Sequence, residues 1–230
     1  MKAWIVRVMG NIEAWILAAM ALICALGLGF IWLLDEVLDG DTGSFDKSLL
    51  LALRNPADPA DPVGPGWLEE LARDFTALGG TGFIVFILVA SAIYLWLKGH
   101  RWSMLVLVAS VGSAQVASSL LKHFIARPRP ELVQHGSIVY TASFPSGHSL
   151  MSAITFLTLA ALLAEHEPRR AIRIFMIAVA IFLSLGVGVS RVYLGVHWPT
   201  DVLAGWCIGA AWALGCWLIA TVLERRYDKL

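Results

Sequence analysis

Long apolar runs separated by polar connections form the main pattern of this sequence. Six runs can be drawn, at roughly residues 13–34, 82–98, 102–122, 147–164, 171–189 and 202–222. Each is near the ~20 residues that a helix needs to cross the hydrocarbon core of a bilayer. The pattern therefore predicts an all-α, polytopic membrane protein with six transmembrane helices in one bundle, and a single domain over residues 1–230.

The connection between the first two runs, about residues 35–81, is long and acidic. Its stretch NPADPADPVGPG has no helical period, whereas the following WLEELARDFTALGG places apolar and charged residues on opposite sides of a helix. The second stretch predicts a short helix that ends at Gly79 and Gly80. This helix either lies at the membrane interface or packs on the bundle as a lid.

The placement of charge predicts an orientation, although the formal net charge is zero. Basic residues lie at both ends of the chain and in alternate connections, those after the second and fourth runs: Lys2, Arg7, Lys98, Arg101, Arg169, Arg170, Arg173, Arg225, Arg226 and Lys229. By the positive-inside rule these segments and both termini are cytoplasmic. The first, third and fifth loops then face outward.

Composition narrows the class of protein further. Hydrophobic residues make up 58% of the chain and charged residues 15%, against about one quarter charged in soluble domains. A balanced charge gives no basic surface for nucleic acid. The three cysteines lie inside apolar runs with no Cys-His metal spacing, so they are interpreted as packing residues.

The first polar cluster follows the third run, in KHFIARPRP. Lys122 opens it, and the prolines that flank Arg129 hold that residue on a stiff, extended segment. Lys122 alone is explained as a snorkelling membrane flank. A basic cluster in an outward loop, however, needs an anionic partner such as phosphate. The polar residues before it, Gln115, Ser118 and Ser119, share one helix face with Lys122 and favour hydrogen bonding between helices.

The second cluster is FPSGHS, just before the fourth run. Ser146 is a good helix N-cap, and the amides of Gly147 and His148 would point out of the positive end of the helix. That arrangement is an anion-binding site. The alternatives are a plain cap for Ser146 and a structural role for His148 at the membrane interface.

The third cluster is SRVYLGVHWPTD, which joins the fifth and sixth runs. Asp201 lies four residues after His197, so its carboxylate can reach one ring nitrogen and leave the other more nucleophilic. Arg191 precedes them at the end of the fifth run. Taken alone, Asp201 is also explained as an acidic residue near a helix N-terminus.

The predicted topology brings the three clusters to one membrane face. Together they supply three cations, a helix N-terminus and two histidines, which is the inventory for binding a phosphate and displacing its ester oxygen. No acidic cluster suited to Mg²⁺ accompanies them. A metal-independent site is therefore expected, with no cofactor.

The motifs resemble the three-part signature of the type 2 phosphatidic acid phosphatase superfamily, which also includes the vanadium haloperoxidases and glucose 6-phosphatase. The matching stretches are Lys-x6-Arg-Pro at 122–130, Pro-Ser-Gly-His at 145–148 and Ser-Arg-x5-His-x3-Asp at 190–201. They span residues 122–201. Many members have Gly where Ala126 stands, which affects only a turn residue.

The resemblance implies a role for each residue. His197 is the nucleophile that forms a phospho-histidine, Asp201 orients it, and His148 protonates the leaving oxygen and then activates water. The phosphate oxygens are held by Lys122, Arg129, Ser146, Gly147 and Arg191. The chain is thus expected to be an integral lipid phosphatase of a bacterial inner membrane, with its site facing the periplasm or exterior.

Candidate substrates are phosphatidylglycerophosphate, phosphatidate and undecaprenyl pyrophosphate, with membrane lipids as the surroundings. The sequence leaves the choice among them open, and the oligomeric state as well. Two rival classes remain: a vanadate-dependent haloperoxidase, and a non-catalytic protein that binds or transports lipid phosphates. The second would not need His148, His197 and Asp201 together.

Overall fold

The computed structural model describes residues 14–133 and 141–227. Its helices are α1 (Ala14–Asp39), α2 (Gly43–Ala52), α3 (Gly66–Leu78), α4 (Thr81–Leu97), α5 (Arg101–Ile125), α6 (Gly147–Glu165), α7 (Arg170–Tyr193) and α8 (Pro199–Tyr227). A two-stranded antiparallel hairpin of β1 (Arg54–Asn55) and β2 (Asp58–Pro62) completes it. Lys2, Arg7 and Lys229, on which the predicted orientation partly depends, lie outside the described residues.

The predicted helical membrane architecture is present. Five helices, α1, α5, α6, α7 and α8, are long and apolar enough to cross a membrane. Helix α4 has 17 residues and meets α3 at a 50° bend, so this bent pair is a sixth candidate span. The first helix extends beyond its predicted end to Asp39, because Asp35, Glu36 and Asp39 continue it past the apolar run.

Helix α6 lies at the centre of the bundle. In its apolar window 61% of the residues are buried, against 11% in α1. It packs against α5, α7 and α8. Gly205 lets α8 come close to the start of α6, since a Cβ there would lie 2.9 Å from the Ser146 carbonyl oxygen. Two of the predicted motifs are therefore held on adjoining helix ends.

The first loop is more structured than its composition indicated. Helix α2 was not predicted, and the Pro/Asp-rich stretch forms the β1–β2 hairpin. Buried Arg54 anchors the hairpin by donating from Nη2 to the Tyr193 carbonyl at 2.8 Å. The Tyr193 hydroxyl donates in turn to the Val63 carbonyl at 2.9 Å. The loop is thereby attached to the end of α7.

Helix α3 packs along α7 at the same end of the bundle. The Phe75 ring fills the space beside Gly186, where a Cβ would lie 2.4 Å from it, and meets the Phe182 ring edge-on at 5.7 Å. Trp67 and Leu71, nearer the start of the helix, are exposed. Helix α3 is thus amphipathic as predicted and contacts the bundle; its position relative to the membrane interface stays a prediction.

Candidate active site

The eight residues singled out in the sequence lie at one end of the bundle. Lys122 comes from the last turns of α5, Gly147 and His148 from the start of α6, and Ser146 from its N-cap. Arg191 comes from the last turn of α7, His197 from the connection that follows, and Asp201 from the first turn of α8. Arg129 lies on the segment after α5. Four helix ends therefore build the site.

The segment after α5 turns sharply and then runs extended. Ala126 has a φ of 46°, the left-handed conformation in which helices commonly end and which Gly adopts without strain. Beyond the turn, Arg129 donates from Nε to the Thr141 carbonyl at 2.8 Å and from Nη1 to the Val196 carbonyl at 2.7 Å. The guanidinium thus links two segments that flank the site.

His197 and Asp201 form the pair that the four-residue spacing predicted. His197 Nδ1 lies 3.3 Å from Asp201 Oδ2, and the Trp198 amide donates to the same oxygen at 3.0 Å. The Ser143 hydroxyl also donates to Oδ2. The carboxylate is 0% exposed, so these donors replace its hydration.

The contacts of the His197 ring define its tautomer. Arg129 Nη1 lies 3.0 Å from Nε2, and a guanidinium only donates. Nε2 must therefore carry the lone pair, while Nδ1 carries the proton and faces the carboxylate. Burial lowers the pKa of His197 to about 3, although the hydrogen bond to Asp201 opposes the shift. The ring is neutral at neutral pH, with its acceptor nitrogen toward the cationic residues.

The start of α6 presents a backbone amide and a histidine to a cavity. Gly147 and His148 both line this cavity. Ser146 is the N-cap, but its hydroxyl is buried and engaged, since it accepts from the Ser149 amide at 3.4 Å and from the Ser149 hydroxyl at 2.9 Å. Its backbone amide donates to the Asp201 carbonyl at 3.0 Å. Ser146 therefore fixes the helix end from behind the cavity.

Arg191 and Lys122 bring two further cations to the cavity. Arg191 is 1% exposed, and its Nη1 donates to the Thr76 hydroxyl at 2.6 Å. Its Nε has no partner among the described residues. Lys122 Nζ donates to the Ala142 carbonyl at 2.6 Å. Burial lowers the pKa of the Arg129 guanidinium, and the negative charge of Asp201 opposes this shift. The cations are held by neutral oxygens, which leaves their charge for an anion.

The cavity has a volume of about 710 Å³ and extends from the cationic residues along α4, α5 and α6. Next to the site it is lined by Lys122, Arg129, Arg191 and the two histidines. Farther along it is lined by Ile84, Val85, Leu88 and Val111 from α4 and α5. The arrangement suits a molecule with an anionic head and an apolar body.

Sequence reasoning missed residues that support the site. Arg127 donates from Nη1 to Asp201 Oδ1 at 2.6 Å and from Nη2 to Asp46 Oδ2 at 2.7 Å. Arg127 lies within the first motif and could have been noticed there. Asp46 and Thr76 lie in the first loop, where nothing in the residue pattern indicates contact with the site.

The described residues contain no group of three or more His, Cys, Asp or Glu side chains placed to hold a metal ion. The buried carboxylates Asp46 and Asp201 both form ion pairs with Arg127. The chemistry available to the chain itself is that of a neutral imidazole, a second histidine and a set of cations.

Comparison with known proteins identifies relatives of this arrangement. The sequence profile of the PAP2 superfamily matches residues 102–225. Phosphatidylglycerophosphatase B of Bacillus subtilis (strain 168) is 34% identical over 149 residues, which are 62% of this chain and 70% of that protein. An undecaprenyl-diphosphatase of Sulfolobus acidocaldarius is 32% identical over 145 residues, covering 56% of this chain and 65% of that one.

A solved structure shares the fold. The crystal structure of a transmembrane PAP2-type phosphatidylglycerolphosphate phosphatase from Bacillus subtilis superposes with a TM-score of 0.75 at 26% identity. The match covers 89% of this chain and 96% of that one.

Proposed function

The chain belongs to the PAP2 superfamily, and on that premise we propose that it is an integral membrane lipid phosphatase that works through a phospho-histidine. The observation that carries the proposal is the neutral His197 ring, whose Nε2 lone pair faces Arg129 in a cavity that Lys122 and Arg191 also line. Its named relatives are membrane lipid phosphatases. The whole chain, residues 1–230, is taken as one catalytic domain.

In the first step His197 Nε2 attacks phosphorus in line with the ester oxygen. A P–N bond forms and the P–O bond to the lipid breaks, while His148, which must be protonated for this step, gives its second ring proton to the leaving oxygen. Asp201 accepts a hydrogen bond from the Nδ1–H group and stabilises the positive charge of the phosphorylated ring. In the second step His148 takes a proton from water, which attacks phosphorus and releases His197 and inorganic phosphate.

The phosphate oxygens would be held by the cations and by the start of α6. Lys122, Arg129 and Arg191 provide positive charge, and the Gly147 amide, fixed by the Ser146 cap, adds a backbone donor. Arg129 has a second role in this scheme. Its Nη1 covers the His197 lone pair, so binding of a phosphate that accepts from Arg129 frees the nucleophile.

The substrate is expected to be a lipid phosphate in the outer leaflet. Support comes from the cavity, which is cationic at one end and apolar along α4 and α5. A headgroup can then reach the site while its tails stay in the membrane. Six spans, an interfacial α3, cytoplasmic termini and a bacterial inner membrane complete the proposal.

The central experiment measures inorganic phosphate released by the purified protein from phosphatidate, phosphatidylglycerophosphate and undecaprenyl pyrophosphate. Wild type should turn over at least one of them, and His197→Ala none. Binding without turnover would favour the non-catalytic alternative. Oxidation of bromide by the vanadate-loaded protein with peroxide would favour the haloperoxidase alternative.

Orientation is tested with single cysteines in a background lacking Cys24, Cys207 and Cys216. Ala57→Cys lies in the hairpin beside the site, and Glu165→Cys lies at the opposite end of α6; both positions are exposed. An impermeant thiol reagent should label the first in intact cells and not the second. The reverse result would put the site in the cytoplasm.

A further inference from the structure

One wall of the cavity changes from polar to apolar along α5. Starting at the site, the residues of this helix that line the cavity are His123, Lys122, Ser119, Ser118, Gln115, Gly112 and Val111. Seven residues separate Lys122 from Gln115, which is about 10 Å along the helix axis. The facing α4 wall is apolar from Ile84 onward. A polar strip therefore continues about 10 Å from the phosphate site into the membrane span.

The hydrogen bond that the Gln115 side chain makes among the described residues stays within its own helix. Its Nε2 donates to Ser119 Oγ of the same helix at 3.4 Å, and Ser119 Oγ donates to the Gln115 carbonyl at 3.0 Å. The prediction that Gln115 forms a hydrogen bond to another helix therefore does not agree with these contacts. Polar side chains within membrane spans are costly and usually face a partner or a functional cavity. Gln115 faces the cavity.

We propose, on the basis of the proposed phosphatase activity, that this strip binds the glycerol and ester groups of a glycerophospholipid monoester. Such a lipid stays polar for several bonds beyond its phosphate, through glycerol and ester carbonyls. A polyprenyl pyrophosphate becomes apolar directly after its second phosphate. The Gln115 amide and the Ser118 and Ser119 hydroxyls thus select the first class of substrate.

The test compares kcat/KM for phosphatidate and for a polyprenyl pyrophosphate in the same mixed micelles, using wild type, Gln115→Leu and the control Val116→Leu. Val116 is exposed on α5 and does not line the cavity. Gln115→Leu should lose about 10-fold on phosphatidate, the effect of one hydrogen bond to the ligand. It should change less than 2-fold on the pyrophosphate, and Val116→Leu should change neither.

Equal losses on both substrates, or a wild-type preference for the pyrophosphate, would refute the assignment of the strip. If wild type hydrolyses neither of these lipids nor phosphatidylglycerophosphate, the phosphatase proposal itself is wrong, so the two failures are distinguishable. The variant replaces an amide by an apolar side chain within a span, which favours its insertion in the membrane.

A second, independent observation concerns the first loop. Asp46 of α2 is 1% exposed, and its Oδ1 accepts from the Thr200 amide at 3.0 Å. Its Oδ2 accepts from the Thr200 hydroxyl at 2.7 Å and from Arg127. Since Arg127 also binds Asp201, a continuous set of bonds connects α2 to the carboxylate that orients His197.

The same loop reaches a different part of the site through α3. The Thr76 hydroxyl accepts from Arg191 Nη1 at 2.6 Å, and this is the one polar partner of that guanidinium among the contacts of the described residues. Both Asp46 and Thr76 lie outside residues 102–225, the segment that the family profile matches.

We infer that Asp46 and Thr76 are positioning residues with separable effects. Asp46 acts through Arg127 on the His197–Asp201 pair, so its loss should slow formation of the phosphoenzyme. Thr76 acts on a cation that holds phosphate, so its loss should weaken binding. If the loop had only a structural role, loss of Asp46 would not act mainly on kcat and loss of Thr76 would not act mainly on KM.

The experiment measures kcat, KM and vanadate inhibition for Asp46→Asn, Thr76→Val and Thr76→Ser. Asp46→Asn should lower kcat at least 10-fold with KM within 2-fold. Thr76→Val should raise KM and the vanadate inhibition constant about 10-fold, and Thr76→Ser should restore both. In an Asp201→Asn background, Asp46→Asn should add little further loss, because it acts through Asp201.

Additive losses of Asp46→Asn and Asp201→Asn would overturn the inferred connection. If Thr76→Val lowered kcat and left vanadate inhibition unchanged, the role inferred for Thr76 would be wrong. Thermal unfolding in detergent, measured for each variant, identifies any variant that is not folded. Thr76→Ser keeps the hydroxyl, so the role of Thr76 can still be tested if Thr76→Val does not fold.

Discussion

Replacing Asp201 by Asn tests whether the carboxylate defines the nucleophile. In the wild type Asp201 Oδ2 faces His197 Nδ1, and Arg129 faces Nε2 from the other side of the ring. An Asn side chain presents either its carbonyl or its amino group to Nδ1. Because the Trp198 amide and the Ser143 hydroxyl also donate to this position, the carbonyl remains partly favoured. What is lost in every case is the negative charge.

The expected loss follows from two effects. A neutral amide no longer stabilises the charged ring that forms when His197 becomes phosphorylated, and it permits the tautomer with its proton on Nε2. In a serine protease triad the same replacement lowers kcat about 10⁴-fold. Here the charge of Asp201 is shared with Arg127 at 2.6 Å, which reduces its effect on the ring. We therefore expect a loss of 10³- to 10⁴-fold, or about 4–5.5 kcal/mol.

The assay is a rapid-quench measurement of leaving-group release, which reports phosphoenzyme formation directly. The control is Asp74→Asn, because this carboxylate is exposed on α3. Vanadate inhibition should persist in Asp201→Asn, since the cations that hold the anion are unchanged. A loss of less than 10-fold in a folded protein would refute the assigned role of Asp201, and the orienting group would then have to be Ser143.

Three further predictions concern the acid, the metal and pH. His148→Ala should lose about 10²–10⁴-fold in the burst on phosphatidate but far less on p-nitrophenyl phosphate, whose leaving group needs no proton; equal losses would make His148 a binding residue. Activity should persist in excess EDTA and be inhibited by vanadate, and a loss restored by Mg²⁺ would refute the metal-free mechanism. The pKa of His197 is lowered to about 3 in the folded protein, whereas the ring in the unfolded chain binds a proton below about pH 6.5. Unfolding therefore becomes more favourable as the pH falls below about 6.5. Lowering the pH from 7 to 5.5 should therefore reduce the thermal midpoint of wild type more than that of His197→Asn, and equal shifts would contradict the neutral buried ring.

The site could be predicted because its residues conflict with their surroundings. A Lys, two Arg and two His at the ends of apolar runs are costly unless they bind something, so they stand out against the membrane pattern. The spacing of His197 and Asp201 then predicts a contact from helix geometry alone. The apolar runs predict the helices whose ends carry the motifs, and the family resemblance implies the roles of the residues.

The first loop could not be predicted in the same way. Helix α2 has only 10 residues, GSFDKSLLLA, too short for periodicity to separate it from a polar connection. Asp46 resembles the other acidic residues around it. Its partner Thr200 is 154 residues away, and no local signal encodes a contact of that range. Ser146 shows the reverse case, since its residue type predicts the cap but not which way its hydroxyl turns.

The placement of Asp46 also explains the charge balance of the site. Lys122, Arg129 and Arg191 are held by neutral oxygens, whereas Arg127 is paired with both Asp46 and Asp201. Four cations and two carboxylates leave an excess of two positive charges before a proton on His148 is counted, which suits a phosphate monoester of about −1.5 to −2. Without Asp46, Arg127 would draw on Asp201 alone, and the carboxylate would be less able to stabilise the phosphorylated ring. By sharing Arg127, a buried acid in the first loop thus leaves more of the charge of Asp201 for its histidine.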